Sequence, residues 1–454
     1  MNMTKLCITS LLLALATLSA QAQGSTAMSL KDCMNYAVSN STKVRIQQAA
    51  TGDAQLARRD AILSVFTPQI SASTYAYYNF GRAIDPETNT YINTTSFHNS
   101  YSVSAGYTIF DGFEAVNNLK ITKTSLAMGY SQEEQVEADI CLATMEAYYN
   151  AVYYSKIVDI YTSQVQTAES SLELVRKQEA LGVKGYADVV QTEADLADRQ
   201  YTLINAKNML GDAMITLQDV MFWPLDSTLV IDTEFADTDA LALDSDADTQ
   251  QIIDYAQRNM PSAQIAFGTM DNARLELKTA KWKLLPTLEF YAGWSTTYYE
   301  YPGIRETDPF RSQFGNNGGE YVELALTIPI FNRLKAWSNI SRKKHAYEKA
   351  SAEYDQKMRD IEAEVRRAVQ DRDGAAASYL QAQRKSEVQE EAWRLNTRKY
   401  EQGLISGIEY QTATDNYLAA RADRLNSMFK YLIKKSVVEY YGGTDYIDQN
   451  LNYG

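Results

Sequence analysis

Two stretches of the chain repeat apolar residues at the spacing of a coiled-coil seam. The clearer stretch alternates steps of four and three residues, and only Thr144 in it is not apolar: Ile140, Thr144, Ala147, Ala151, Tyr154, Val158, Tyr161, Val165, Ala168, Leu172 and Val175. The second stretch contains Tyr347, Ala350, Tyr354, Met358, Ile361, Val365 and Ala368. This period buries one narrow stripe of a helix against a partner helix. It predicts long helices at 113–181 and 334–402, each roughly 100 Å long at ~1.5 Å per residue, which is too long to wrap a compact core.

A different period follows each of two prolines. Pro68 and Pro286 end the preceding helices, because proline has no N–H and its ring clashes with the helical backbone. Beyond them, apolar residues alternate with polar or small ones, as in strands with one apolar face. The alternation predicts four strands, at about 69–80, 100–110, 287–299 and 320–331, with polar loops at Gly81–Asn99 and Glu300–Gly319.

The same order of elements occurs twice along the chain. Leu63–Ser71 is echoed by Lys283–Tyr291, and Leu181–Val183 by Gln402–Leu404, at a constant offset of about 220 residues. We therefore predict two repeats joined by a solvated connector or small ancillary segment that contains acidic residues but no Lys or Arg. The predicted ranges are 23–222 for the first repeat with its closing helix at 186–222, 223–249 for the connector, 250–442 for the second repeat with its closing helix at 407–440, and 443–454 for a C-terminal tail.

The first residues have the pattern of an exported protein. Lys5 precedes the apolar run Leu11–Leu18 and the small-residue site Ala20–Ala22, so residues 1–22 are predicted to be a signal peptide. No later stretch offers the ~20 consecutive apolar residues that a membrane helix needs. If the mature chain crosses a membrane, it does so as strands. The 32 tyrosines suit such a protein, because their amphipathic rings favour membrane interfaces.

Four strands are too few to close a membrane barrel. The smallest barrels of this kind have about eight strands, and an open edge in lipid leaves backbone groups without hydrogen bonds. Other copies of the chain must then complete the barrel. Three chains would supply twelve strands, although counting alone also allows two or four copies. The alternative is an ordinary antiparallel sheet on the core of a soluble protein.

The composition argues against several classes of function. A net charge of −14 opposes binding to nucleic acid. The histidines are His98 and His345, so a zinc triad or a Ser-His-Asp site lacks its residues, and the acidic run 244–248 lacks the glycine of a calcium loop. Of the cysteines, Cys33 and Cys141 follow the signal peptide and are predicted to be small buried hydrophobes. We predict no catalytic site, no metal and no cofactor.

Together these features resemble the TolC-like outer-membrane efflux family. The resemblance covers the mature chain through the repeat, the breaks at Pro68 and Pro286, and two turn motifs, EALGVKGYADVVQ (Glu179–Gln191) and KYEQGLISGIEYQ (Lys399–Gln411). It implies a mainly α fold with a membrane β-barrel portion, in which a homotrimer forms a twelve-stranded barrel in the outer membrane and a helical coiled-coil tunnel in the periplasm.

The resemblance also implies a function. The protein would be a passive exit duct that works with a periplasmic adaptor protein and an inner-membrane pump, in a tripartite efflux or secretion system. Two other hypotheses stand beside it: the outer-membrane duct of type I protein secretion, and a periplasmic structural or adaptor coiled-coil protein. The last would share the helices but not the four amphipathic strands.

Finally, the resemblance assigns candidate residues to the two turns. Those at the helix tips, where the adaptor would make contact, are Gly182, Val183, Gly403 and Leu404, and those that would narrow the periplasmic aperture are Asp188, Glu409 and Tyr400. An acidic residue in a first helical turn also complements the helix dipole, so capping is the alternative role of both carboxylates. The chain departs from the family at Ile405, where the best-known members have an arginine, and at Thr412, where they have a second acid.

Overall fold

The computed structural model of the protein describes residues 27–84, 88–233, 248–303 and 306–449. The predicted signal peptide, residues 234–247 of the connector and the last five residues lie outside this part. The elements in chain order are α1 (Leu30–Asn40), α2 (Thr42–Phe66), β1 (Gln69–Ile84), β2 (Tyr91–Phe110), α3 (Glu114–Ala180), α4 (Tyr186–Val220), α5 (Thr249–Asn259), α6 (Pro261–Trp282), β3 (Thr287–Glu300), α7 (Phe310–Asn316), β4 (Gly319–Thr327), α8 (Lys335–Glu401) and α9 (Gly407–Tyr441).

The chain divides into two compact units. The helical unit comprises Met1–Gln47, Glu133–Ala263 and Met358–Gly454, and the sheet unit comprises Gln48–Gln132 and Gln264–Lys357. The long helices α3 and α8 have 67 residues each, and both run from the sheet unit into the helical unit. No helix in the described ranges combines the length and the apolar character needed to cross a bilayer.

The sheet is antiparallel with the strand order β1-β2-β3-β4, and its register collects the apolar residues on one face. Ala72 lies opposite Val103, Val103 opposite Trp294, and Ala292 opposite Val322. Directly opposed residues share a face. The other face is polar, with the hydroxyls of Ser71 and Ser104 3.1 Å apart and those of Ser73 and Ser102 2.8 Å apart. The predicted alternation of faces is therefore present in the sheet.

Two ends of the predicted strands need correction. In β2 a bulge between Thr108 and Phe110 places Phe110 opposite Leu288, whereas the alternation put Ile109 on the apolar face. A bulge inserts one residue and so reverses the alternation beyond it. The strand predicted at 320–331 ends at Thr327, because Pro329 has no N–H for the ladder.

The polar loops were predicted too long. β1 continues to Ile84 and β2 begins at Tyr91, so most of Gly81–Asn99 is strand. The extension is rich in β-forming aromatic and branched residues, and the rings of Tyr78 and Phe97 lie 5.0 Å apart across the pair. The loop Glu300–Gly319 contains α7. The side-chain amide of Gln313 accepts from the N–H of Tyr299 at 3.1 Å and donates to its C=O at 2.9 Å. It takes the place of a partner strand at the part of β3 that extends past Gly319, the first residue of β4.

In the helical unit the seam residues form the buried face of α3. Ile140, Thr144, Ala147, Ala151, Val165, Ala168, Leu172 and Val175 are buried. In the middle of the seam Tyr154, Val158 and Tyr161 are half-buried and pack against the core, while Ile157 and Ile160, which lie beside the predicted stripe, are buried against Ala206 of α4. Cys33 and Cys141 are buried in the main core. Burial raises the pKa of each thiol to about 12, as expected for inert structural cysteines.

The described part of the connector is not the solvated segment that its acidic composition predicted. Leu229 and Ile231 are buried in the main core, and Ile231 forms a parallel bridge with Met28. The hydroxyl of Tyr148 donates to the carbonyl of Asp232 at 2.6 Å. Residues 223–233 therefore attach the start of the described chain to α3.

Candidate functional site

Both hairpin tips of the helical unit use the same backbone motif. Gly182 follows α3 with φ of +73°, and Gly403 follows α8 with φ of +71°. At the first tip, the N–H of Gly182 donates to the carbonyl of Glu179 at 2.8 Å and that of Val183 to Gln178 at 2.8 Å; at the second, Gly403 donates to Tyr400 at 2.9 Å and Leu404 to Lys399 at 2.8 Å. This is the Schellman motif, in which a left-handed glycine satisfies the last carbonyls of a helix.

The predicted acidic residues cap the helices that follow the turns. The carboxylate of Asp188 accepts from the N–H of Gly185 at 3.0 Å. The carboxylate of Glu409 accepts from the N–H of Ser406 at 2.8 Å and from its hydroxyl at 3.0 Å, and the N–H of Glu409 donates to that hydroxyl at 3.3 Å. The second turn therefore has a complete capping box, whereas Gly185 has no side chain to complete one at the first.

The capping bonds also lower the pKa of Glu409. The backbone hydrogen bond from Ser406, followed by that from its hydroxyl, holds the pKa of the Glu409 carboxyl below its ordinary value. Hydrogen bonds to a carboxylate favour its charged form. In this protomer the second acidic residue of the predicted aperture is a fixed negative charge on an exposed surface.

Tyr400 packs within the second tip and faces the first. Its ring stacks on that of Tyr410, with centroids 4.8 Å apart and planes 9° apart. The ammonium of Lys184, in the first turn, lies 5.9 Å from the centroid of the Tyr400 ring. A cation over a ring face at this distance is weakly attracted to it. Tyr400 thus links the second turn to Lys184 of the first.

A cavity of about 790 Å³ lies between the two hairpins. Asp188 and Tyr400 both line it, together with Lys184, Gln164, Trp393 and Tyr417, but Glu409 does not. The four tip candidates Gly182, Val183, Gly403 and Leu404 are exposed. Among the departures from the family, Ile405 is half-buried, and the hydroxyl of Thr412 donates to the carbonyl of Ile408 at 2.8 Å. Two of the three aperture candidates, Asp188 and Tyr400, therefore line the same cavity.

Sequence reasoning missed a charged cluster on the wall of this cavity. Arg199 of α4 lies 3.2 Å from Asp195 and donates to Gln164 at 3.1 Å, and it also pairs with Asp415 of α9. The four-residue spacing of Asp195 and Arg199 places both on one helix face, so this pair could have been predicted from the sequence. The contact between Arg199 and Asp415 joins the two repeats and has no local signal.

The chemistry available at the tips is electrostatic and conformational. Their side chains are carboxylates, cations and aromatic rings that bind one another. In the ranges the structure describes, no group of three or more His, Cys, Asp or Glu side chains is arranged to hold a metal ion. The tips can attract ions, contact a partner or change the distance between the hairpins.

Comparisons with known proteins agree with this architecture. The family described as outer membrane efflux protein matches residues 37–221 and 252–435, once in each repeat. Outer membrane protein TolC of Escherichia coli strain K12 is 21% identical over 373 residues, which cover 75% of this chain and 74% of that protein. The family match covers most of the chain and in both halves includes the turn motifs.

Solved structures share the fold. The CmeC outer membrane channel of Campylobacter jejuni has a TM-score of 0.76 at 15% identity, covering 93% of this chain and 87% of that chain. The open state of the MtrE outer membrane channel of Neisseria gonorrhoeae has a TM-score of 0.71 at 15% identity, covering 93% and 90%. At such identities the likeness concerns the fold alone.

Proposed function

Since the chain belongs to the outer membrane efflux protein family, it is an outer-membrane efflux channel subunit, and we propose that three copies of it form one exit duct. Each copy gives four strands to a twelve-stranded barrel in the outer membrane. The hairpins point into the periplasm, where their tips meet an adaptor protein and an inner-membrane pump. Substrates pass through without being chemically changed. Each protomer consists of the repeats 23–222 and 250–442, joined by the connector 223–249.

The sheet carries this proposal. Its apolar face is continuous across all four strands, and on it Val322, Leu324 and Leu326 of β4 are 74%, 65% and 62% exposed. Such a face needs lipid or another protein to cover it. In the described sheet, β1 and β4 each have a neighbour on one side only. Pairing β4 of one copy with β1 of the next removes both edges, as a membrane requires.

Native mass spectrometry of the detergent-extracted protein tests the assembly. We expect a particle with three times the mass of the mature chain, which forms conducting channels in planar bilayers. A particle of two or four copies that conducts would overturn the trimer and keep the duct. A water-soluble monomer that forms no channel would overturn both.

We assign the periplasmic aperture of the duct to Asp188, Glu409 and Tyr400. In three copies the two carboxylates give six negative charges near one axis, and carboxylate rings attract cations in a narrow pore. The bonds from Ser406 support this assignment, because they hold the Glu409 carboxylate at one position in the turn. The contact of Lys184 with Tyr400 supports a part for Tyr400 in holding the turns together.

The variants Asp188→Asn and Glu409→Gln test the charge. Both amides keep an oxygen that can accept the capping bonds, so the turns are preserved while the charges are lost. We expect the multivalent-cation concentration for half-block of the channel current to rise roughly tenfold in the double variant, as when a charge-assisted contact is removed. Glu173→Gln, which removes an exposed carboxylate paired with Lys177 at 2.7 Å in α3, is the control. Unchanged block in the double variant would contradict the aperture assignment.

A further inference from the structure

The cavity between the two hairpins is lined by two residues whose buried N–H groups have no acceptor. They are the indole Nε1 of Trp393 in α8 and the side-chain Nε2 of Gln164 in α3; within the described ranges, neither nitrogen has a hydrogen-bond partner. Buried donors are almost always satisfied in proteins, because one left without an acceptor loses its hydration and gains nothing in return. A ligand that brings acceptor oxygens into the cavity would supply the two missing bonds.

Neighbouring contacts fix both groups as donors. The amide oxygen of Gln164 accepts from Arg199 at 3.1 Å, so the other end of that amide is the NH₂ group. The ring of Trp393 stacks on that of Tyr417, with centroids 5.2 Å apart and planes 16° apart, which sets the plane in which the indole N–H lies. An indole N–H can only donate. Neither group can therefore satisfy the other, and both need an acceptor from outside the pair.

The charges around the cavity favour an anion. Its wall carries five basic side chains and three acidic ones: Lys156, Lys184, Arg199, Arg421 and Arg424 against Asp159, Asp188 and Asp195. Arg199 and Asp195 bind each other at 3.2 Å, which leaves four cations and two carboxylates. Lys156 and Lys184 are half-buried, and neither ammonium pairs with a carboxylate in the part of the chain that the structure describes. Because the whole chain has a net charge of −14, this local excess of cations favours a negatively charged ligand.

The remaining wall of the cavity is aromatic. The stacked rings of Tyr400 and Tyr410 line it beside those of Trp393 and Tyr417. Aromatic faces bind flat apolar groups and other rings. The volume of about 790 Å³ lies within the range of roughly 300–1,000 Å³ that is typical of pockets for small organic molecules. The wall therefore suits a ligand with a flat apolar body and an anionic head.

We propose that the cavity binds an amphipathic aromatic anion, such as an aryl sulfonate or carboxylate, whose oxygens accept from Trp393 and Gln164 and whose rings stack on the aromatic wall. Both hairpins belong to the helical unit, so one protomer contains the whole site. The inference goes beyond the proposed function, because a passive duct needs no ligand site inside a protomer.

Isothermal titration calorimetry of the full-length mature protein in lipid nanodiscs tests the site, with naphthalene-2-sulfonate as the probe. We expect saturable binding of one probe per protomer. Naphthalene-2-sulfonamide has the same rings without the charge and should bind at least about tenfold more weakly, since hydrogen bonds to charged groups are the stronger ones. Lys156→Gln should weaken sulfonate binding roughly threefold and leave sulfonamide binding unchanged.

Two variants remove the donors without removing the wall. Trp393→Phe keeps a ring on Tyr417 and loses the N–H, so it should raise the Kd of the sulfonate by about tenfold. Gln164→Glu keeps an oxygen for Arg199 and replaces the donor with a charge that repels the probe, so its effect should be larger. The matched control is Trp337→Phe, which changes an exposed tryptophan of α8 in the sheet unit and should bind as the wild type does.

The outcomes separate this inference from the proposed function. Heat that does not saturate and that empty nanodiscs also give would mean partition into lipid, and equal affinity for sulfonate and sulfonamide would mean that charge is not recognised; either result overturns the proposal. Wild-type binding by both donor variants would place the probe elsewhere and also overturn it. If Gln164→Glu does not reach the outer membrane, Trp393→Phe decides the question. The duct itself is judged by conduction, which none of these results changes.

Discussion

The two hairpin tips share a backbone and differ in what fills them. In the first, Leu172 and Val175 of α3 pack against Val189 of α4 in a buried aliphatic cluster. The second tip is filled by stacked rings instead: Trp393 lies 5.2 Å from Tyr417, and Tyr400 lies 4.8 Å from Tyr410. Trp393 corresponds to Leu172, Tyr410 to Val189 and Tyr417 to Leu196.

The difference shows which features of a repeated turn are constrained by its geometry. A helix that reverses through a left-handed residue needs glycine or asparagine there, and both copies have glycine. The side chains between the helices only have to fill space, and aliphatic or aromatic groups can do so. The second tip also has a complete capping box. The second tip is therefore held by aromatic packing beside a capped carboxylate, while the first is held by aliphatic packing.

The shared backbone motif gives the largest expected effect. Gly182→Val and Gly403→Val should each destabilise their tip by roughly 1–3 kcal/mol, because a β-branched residue is strained at positive φ. Nothing lies within 4 Å of an added Cβ at either glycine, so strain and not collision is the cause. Hydrogen exchange of peptides from each tip measures the loss of protection, and drug export by complemented cells measures the consequence for function.

Asparagine provides the matched control for both glycines. Asn tolerates the left-handed conformation better than other non-glycine residues, so Gly182→Asn and Gly403→Asn should retain most of the protection. All four variants should still insert into the outer membrane, since the sheet unit is unchanged. Equal damage from Asn and Val would show that bulk at the tip matters and that conformation does not.

Much of this architecture follows from the sequence, because it rests on local periods. The seam of α3, the alternation of β1 and β3, and the glycine turns are each encoded within a few residues, and the structure contains all of them. The bulge at Ile109 is different. It changes the alternation by one residue without any glycine or proline to mark it, so a strict period of two assigns Phe110 to the wrong face.

The candidate site likewise has some contacts that are local in the sequence and others that are not. Capping by Asp188 and Glu409 is local, since each carboxylate binds the backbone three residues earlier, and first-turn placement already suggested it. The pairing of Arg199 with Asp415 connects residues that are distant in the chain. Its partners become visible only when the two hairpins are placed side by side, which no spacing in the sequence specifies.

The aromatic packing of the second tip gives the next effect in size. Tyr417→Leu, which installs the residue of the first repeat, should cost about 1 kcal/mol, the typical contribution of an aromatic pair beyond its area. The loss should be confined to exchange in α8 and α9 near the tip. Tyr417→Phe keeps the ring and should preserve the stack with Trp393. If Phe and Leu are equally damaging, the hydroxyl group, and not the stack, holds this tip.

The smallest effect concerns the pH dependence of the second capping box. In the folded protein the bonds from Ser406 lower the pKa of Glu409 from its ordinary value of 4.5. The stabilisation that these bonds give is therefore complete above pH 4.5 and is lost as the pH falls through the lower folded pKa. The ratio of exchange in peptide 399–411 between wild type and Glu409→Gln should thus stay constant from neutral pH down to about 4.5 and change only below it. A ratio that changes above this pH would mean that the carboxyl titrates as an unbonded or buried group, and the contrast between the two tips would then lie in their packing alone.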